Sequence, residues 1–289
     1  MAIALINKPI IITGAATGIG RATAIACAQA GMPVVLTGRR EDRLRAAAAA
    51  LPAGSRSLVV PGDVTNPDDC RRAVEECLAA FGAVYAVFAN AGYGYEGPVH
   101  EMTEEQVRAI FETNFFGTLN AFRPAIPHMI ERRAGHVLIC SSCLARFIIP
   151  FYGAYSATKA AQHHVGRAMR LELAPHNVFV STVHPVGTRT EFFDVVAEQS
   201  GASTLVKHSP DLFVQPASRV ASAVVRCLKR PRPEVWTSQL VRLGMSIGGA
   251  IPRTADLFIK RMVDDHTRNA SAAAAARLAS EGTRVPPAR

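Results

Sequence analysis

The sequence predicts an α/β protein built on a doubly wound parallel sheet of about seven strands, with helices on both faces. Three observations carry that expectation. Short runs of β-branched, almost wholly apolar residues alternate with longer runs of good helix formers from residue 10 to residue 237. The strand runs are apolar at consecutive positions, as strands buried on both faces must be. Gly31, Gly54, Gly82 and Gly135 follow helical runs, where a left-handed exit residue is wanted. Strand and helix in alternation imply right-handed crossovers and a ligand crevice at the carboxyl ends of the strands.

In chain order, the strand runs are 10–13, 34–37, 58–60, 84–89, 137–140 and 178–183, with a shorter one at 234–237. The helical runs are 19–30, 40–51, 68–81, 104–122, 154–174 and 217–228. Thr103 followed by Gln106 makes a capping box for the fourth of these. Residues 1–237 thus read as one catalytic-sized domain. Residues 238–269 read as a helical extension mixing apolar residues with Arg242, Arg253, Lys260 and Arg261, and residues 270–289 as an Ala-rich tail.

A chain of 289 residues that is 49% hydrophobic and 19% charged can bury a core without disulfide or metal staples. Its net charge, 32 basic less 23 acidic residues or +9, favours anionic partners. The basic residues are dispersed, which argues against a nucleic-acid protein. No run approaches the roughly 20 apolar residues of a membrane span, and the start lacks a signal-peptide pattern. The expectation is a cytoplasmic protein whose six cysteines are buried thiols. The 239–262 stretch could cover a pocket, meet a second subunit, or lie on a membrane surface.

Thr13-Gly14-Ala15-Ala16-Thr17-Gly18-Ile19-Gly20 follows the first strand and opens the first helix. Glycines let the backbone approach a pyrophosphate, and the helix amino end offers unpaired N–H groups to it. Gly14, Thr17, Gly18, Ile19 and Gly20 are therefore candidate cofactor residues. The second strand ends at Gly38-Arg39-Arg40, where an NAD protein usually carries a carboxylate for the ribose 2′-hydroxyl. Two guanidinium groups suit a 2′-phosphate instead, so the expected cofactor is NADP. The plain alternative is that Arg39 and Arg40 only solvate the next helix.

Tyr155 and Lys159 stand four apart, on one face of a helix. A nearby ammonium favours the phenolate, and a tyrosine so tuned can exchange a proton with a carbonyl or alcohol oxygen. The ordered set TGxxxGIG at 13–20, Asp63-Val64, Asn90-Ala91-Gly92, Asn114, Ser142, and Tyr155 with Lys159 resembles the short-chain dehydrogenase/reductase family over about residues 5–237. The resemblance implies a Rossmann-type fold and a set of roles. Tyr155 would be the general acid/base, with Lys159 lowering its pKa and holding the nicotinamide ribose. Ser142 would bond the substrate oxygen, and Asn114 would position a water in a relay to Lys159. Asp63 and Val64 would meet the adenine, and Asn90, Ala91 and Gly92 would line the cofactor floor. Pro185, Thr188 and Thr190 would approach the carboxamide. A homodimer or homotetramer is also implied.

One position departs from the family pattern: Val186 stands where a glycine follows the proline, and a β-branched residue resists positive φ. Either the loop differs or Gly187 absorbs the turn. Tyr93, Phe147 and Phe151, with Phe192, Phe193, Val195 and Val196, suggest an apolar pocket for a steroid, retinoid or long-chain carbonyl compound. The loop 90–98 is similar to the retinol and hydroxysteroid dehydrogenase branches. The reaction expected is hydride exchange between NADP(H) and a hydrophobic alcohol/carbonyl pair. A 3-oxoacyl-carrier reductase and an NADP-binding regulator are the alternatives. Cys140-Ser141-Ser142-Cys143 has CxxC spacing but no second pair, so no metal is expected. His184 either approaches the nicotinamide or is a satisfied strand-end residue.

Overall fold

Apolar β-branched runs form strands only where both of their faces are covered, and here seven such runs lie side by side. The computed structural model describes residues 2–200, 214–257, 259–261 and 264. Strands β1 (Ile10–Thr13), β2 (Val34–Gly38), β3 (Ser57–Pro61), β4 (Ala86–Ala89), β5 (Gly135–Cys140) and β6 (Val178–His184) join a single parallel sheet. Two-residue strands β7 (Thr188–Arg189) and β8 (Gln215–Pro216) pair apart from it, and β9 (Glu234–Trp236) completes the main sheet in the order β3-β2-β1-β4-β5-β6-β9. The chain winds outward one way from β1 to β3 and the other way from β4 to β9. The carboxyl ends of β1 and β4 therefore diverge into a crevice.

β1 shows how the faces are shared. Ile10 and Ile12 point into one apolar cluster and Ile11 into the other, all three sealed from solvent. Each such side chain contributes about 1.5–3 kcal/mol by burial. On the Ile10 face lie α1 (Gly18–Gln29), α2 (Glu41–Ala49) and, from later in the chain, residues Val220, Val224 and Cys227. On the Ile11 face lie α3 (Pro67–Phe81), the α4 (Glu104–Phe111) to α5 (Gly117–Phe122) segment, α6 (Ile126–Glu131) and α7 (Gly153–Glu172). The remaining helices are α8 (Phe192–Ser200), α9 (Ala217–Lys229) and α10 (Gln239–Ala250).

The capping box at Thr103 forms with both of its hydrogen bonds. Gly31, Gly54 and Gly82 take positive φ as expected, but Gly135 does not. It is the first residue of β5, and Arg133 takes the left-handed position with φ 48°. The Arg133 carbonyl there accepts from Asn177 Nδ2 at 2.7 Å, which stabilises the unusual turn. The expected single helix over 104–122 is interrupted by a π-helical turn, Glu112–Phe116, centred on Asn114. Such one-residue insertions redirect a carbonyl and a side chain out of the regular ladder.

All six cysteines are free and buried, as expected. Burial pushes the Cys27 thiol up to about 12, so it is inert filler. Past β9, α10 packs Val241 and Met245 beside Trp236, and Gly248 meets the Phe147 ring. Its other side leaves Leu240, Leu243 and Ile247 exposed. Among the described residues no helix is long and apolar enough to cross a membrane, and no cluster of His, Cys, Asp or Glu could hold a metal. The Ala-rich stretch 270–289 lies outside the described residues.

Candidate active site

The glycine-rich turn fits a nucleotide because its backbone has no room for side chains. Gly14 and Gly18 adopt φ of 63° and 54°. A β-carbon on Gly20 would lie 2.2 Å from the Gly14 carbonyl oxygen. Thr17 opens α1 without a side-chain cap, and no acidic residue stands in its first turn. The amides at that helix end are thereby left for an anion such as a pyrophosphate. Thr13 braces the floor: its hydroxyl accepts from the amides of both Asn90 and Ala91 at 2.9 Å. Asn90 Nδ2 returns to the Thr13 carbonyl at 3.0 Å. This turn joins β1 and β4 where the crevice opens.

Arg39 and Arg40 stand exposed beyond the carboxyl end of β2 with no carboxylate at Gly38. The carboxylate beside Arg40 comes from elsewhere. Glu191, after β7, accepts two hydrogen bonds from Arg43 Nη1 at 2.9 and 3.0 Å and lies 3.6 Å from Arg40. Asp63 is committed to a turn, its Oδ1 accepting from the Thr65 amide at 3.0 Å. The Val64 carbonyl accepts from Asn120 Nδ2.

Ser142, Asn114 and, on α7, Tyr155 with Lys159 come from three separate segments and meet in one buried place. Ser142 follows β5 and opens the short turn Cys143–Ala145, its Oγ accepting from the Leu144 amide at 3.1 Å. Tyr155, in the first turn of α7, lies close enough to the Ser142 side chain for that hydroxyl to act on the phenol. Lys159, one turn on, places Nζ 5.6 Å from the centre of the Tyr155 ring. It donates to the Cys140 carbonyl at 2.9 Å. Asn114 accepts from the Tyr93 amide, and its Nδ2 donates to the Tyr93 carbonyl and to Thr158 Oγ1. Its own carbonyl accepts from Thr118 Oγ1 at 2.7 Å and from Gln162 Nε2. A β-carbon on Gly92 would lie 2.8 Å from Asn114 Oδ1 and 3.5 Å from Lys159 Nζ, so only glycine lets these three converge.

Burial sets the charges. It pushes the Tyr155 phenol far above its ordinary value, while the bond to Ser142 pulls the other way. The same desolvation draws Lys159 down to about 8. At neutral pH Tyr155 is thus a neutral phenol. Burial outweighs the pull of the ammonium that the Tyr155–Lys159 spacing suggested.

Some of the expected aromatic residues gather together, and others do not. Tyr93, Tyr95, Tyr152, Tyr155, Phe192 and Val196 belong to one apolar cluster. Phe192 lies 5.6 Å from Tyr155, centre to centre, and presses on Gly94. Phe147 turns toward α10 instead. Phe151 contributes backbone, taking φ 69° and accepting from the Gly97 amide at 2.8 Å. Thr190 sits against Gly18, and Thr188 Oγ1 donates to the Val186 carbonyl at 2.7 Å. Neither Val186 nor Gly187 adopts positive φ. The loop turns instead around hydrogen bonds from the Val186 amide to Thr237 Oγ1 and from the Gln215 amide to the Gly187 carbonyl. Pro185 accepts from the Cys143 amide at 3.1 Å.

Sequence reasoning missed several supports. Ser141, named above only within the CxxC run, donates Oγ to the Lys159 carbonyl at 2.8 Å. Gln162 lies one turn beyond Lys159 and bonds the carbonyl at the π-helical turn; that spacing was its signal. Tyr152 donates to the buried Glu96 at 2.7 Å, a pairing across 56 residues that no local pattern announces.

Residues 8–201 match the family described as short chain dehydrogenase. An uncharacterized oxidoreductase of Listeria innocua is 31% identical over 228 residues, spanning 78% of this chain and 92% of that protein. A Thermococcus sibiricus alcohol dehydrogenase complexed with 5-hydroxy-NADP superposes with a TM-score of 0.69 at 28% identity, over 79% of this chain and 95% of that one. A Burkholderia phymatum short chain dehydrogenase/reductase in complex with NAD shares the fold, with a TM-score of 0.77 at 24% identity, over 84% and 93% of the two chains.

Proposed function

Because the chain belongs to the short-chain dehydrogenase family, whose fold binds a nicotinamide cofactor, we propose that it is an NADP(H)-dependent oxidoreductase acting on a hydrophobic alcohol/carbonyl pair. The observation that carries this reading is the gathering of Ser142, Tyr155 and Lys159 just past the carboxyl end of β5, with Lys159 Nζ bonded to the Cys140 carbonyl and 5.6 Å from the centre of the Tyr155 ring. The bound nicotinamide supplies or accepts the hydride. Everything else falls to this chain's side chains.

Ser142 and Tyr155 hold the substrate oxygen between two hydroxyls. In the reductive direction Tyr155, a neutral phenol, gives its proton to that oxygen as negative charge builds there. In the oxidative direction it takes the proton back. Lys159 supports the transient phenolate and, with Asn114 fixed beside it, fills the site floor. Arg39 and Arg40 favour a 2′-phosphate, and no carboxylate at Gly38 stands ready for a ribose 2′-hydroxyl. Phe192, Tyr93 and Val196 supply an apolar wall, which supports a lipophilic substrate.

The test is an NADPH absorbance assay across steroids, retinoids, aliphatic ketones and acyl thioesters, run with the full chain and Tyr155→Phe. The expected result is turnover of a lipophilic ketone that falls by at least about 10³-fold in the variant, with NADPH binding intact. Retained turnover in Tyr155→Phe would refute the role. Activity confined to carrier-bound thioesters would reassign the substrate.

A further inference from the structure

His184 ends β6 and is completely buried. Its ring lies flat on the Trp236 indole, centres 4.5 Å apart and planes 9° apart, with His163 edge-on at 5.1 Å. Its Nδ1 is 2.9 Å from the carbonyl oxygen of Ser142. Its Nε2 is 2.9 Å from the Thr182 hydroxyl.

The partners fix the protons. A carbonyl oxygen only accepts, so Nδ1 must carry hydrogen. Burial draws the imidazole down to about 4, which leaves Nε2 an acceptor. Thr182 therefore donates to Nε2, its other acceptor, the Pro233 carbonyl, being 3.5 Å away. One tautomer satisfies every group.

The bond from His184 does work the sheet cannot do. The β5–β6 ladder ends at Cys140 opposite Val183. Ser142 lies beyond it, where no ladder bond fixes the backbone. There His184 donates to the Ser142 carbonyl, and the Cys143 amide donates back to the Pro185 carbonyl at 3.1 Å. The two opposed bonds clamp the peptide that carries the serine, while Trp236 prevents the imidazole from tilting.

Resting on the reading of the site given above, we propose that His184 is a positioning residue for Ser142: its Nδ1–H holds the serine's backbone so that Oγ faces the oxygen shared with Tyr155. Both of its ring nitrogens are spent on protein partners and the ring is fully buried, so it acts through the serine. Its effect is confined to the turnover step.

The test compares His184→Asn with His184→Gln in the full chain, using NADPH and the best ketone of the panel. The Asn amide reaches the Nδ1 position and can still donate to Ser142. The Gln amide reaches the Nε2 position, toward Thr182, and cannot. The expected result is near wild-type kcat for His184→Asn and a loss of about tenfold or more for His184→Gln, with KM and NADPH binding unchanged in both. In a Ser142→Ala background the Gln variant should cost nothing further, because the group it positions is gone.

Equal kcat in the Asn and Gln variants, or a full loss repeated in the Ser142→Ala background, would overturn the proposal. If Tyr155→Phe and Ser142→Ala themselves turn over normally, the underlying reading fails instead. His184→Leu, followed by thermal melting, separates folding from turnover: a melted protein marks a structural role and sinks the idea unless His184→Asn restores both.

Discussion

Lys159 Nζ donates to the carbonyl oxygen of Cys140 at 2.9 Å, tying the middle of α7 to the last residue of β5. This bond orients the ammonium but does not recover its hydration. Burial therefore holds Lys159 near 8, below its ordinary value of 10.5. Between those two values the unfolded chain binds a proton that the folded chain has lost. Lys159 therefore contributes a rise in stability with pH between about 8 and 10, set against the fall contributed by the six buried thiols, whose unfolded counterparts ionise near 9. Lys159→Met should remove that contribution, so that the stability of the wild type relative to the variant climbs between pH 7.5 and 9.5, and should cut turnover by about 10²-fold or more. Denaturant midpoints measured at pH 7.5 and 9.5 for both proteins check it.

At acid pH two histidines act in the same sense as Lys159. His136 and His184 are buried neutral, drawn down to about 3 and about 4 from 6.5. Below 6.5 the unfolded chain takes up protons that these two rings refuse. Stability should fall by about 1.4 kcal/mol per pH unit for each ring. His184→Asn should remove one of the two contributions. A urea series from pH 7 to pH 5 reads the slope, and an unchanged slope in the variant would contradict the assignment.

Gly20 offers a test of the nucleotide turn. In an ordinary helix, replacing glycine by alanine gains about 1 kcal/mol. Here the added carbon would lie 2.2 Å from the Gly14 carbonyl oxygen and 2.8 Å from Asn90 Nδ2. Gly20→Ala should therefore weaken dinucleotide binding severely while leaving far-ultraviolet circular dichroism close to wild type. Calorimetric titration with NADPH gives the answer.

Cofactor choice should follow charge at the end of β2. Arg39→Ala with Arg40→Ala should raise the Kd for NADPH about tenfold or more and leave NADH nearly unchanged, since each charge-assisted bond is worth about 1.5–3 kcal/mol. Glu191→Gln should act oppositely, freeing Arg43 and Arg40 and tightening NADPH by a few-fold, as suits a half-exposed pair. A double variant that binds NADH and NADPH as the wild type does would remove the 2′-phosphate reading.

The sequence by itself determined the sheet, its parallel sense, the glycine turn and the residues that meet at the site. Those follow from local physics. Runs of Ile, Val and Leu as at 10–13 must be covered on both faces. A strand–glycine–helix junction needs no distant partner to be legible. Tyr155 and Lys159 share a helix face whatever packs against it. Tertiary structure alone decided what reached across the chain. The interruption at Asn114 depends on Tyr93 and Thr158. Arg40 and Arg43 meet Glu191 only because a segment some 150 residues later returns to them. The direction of the Tyr155 shift was likewise hidden, because sequence shows a neighbouring ammonium but not the desolvation that outweighs it. Such effects depend on distance and burial, and neither is a property of spacing along the chain.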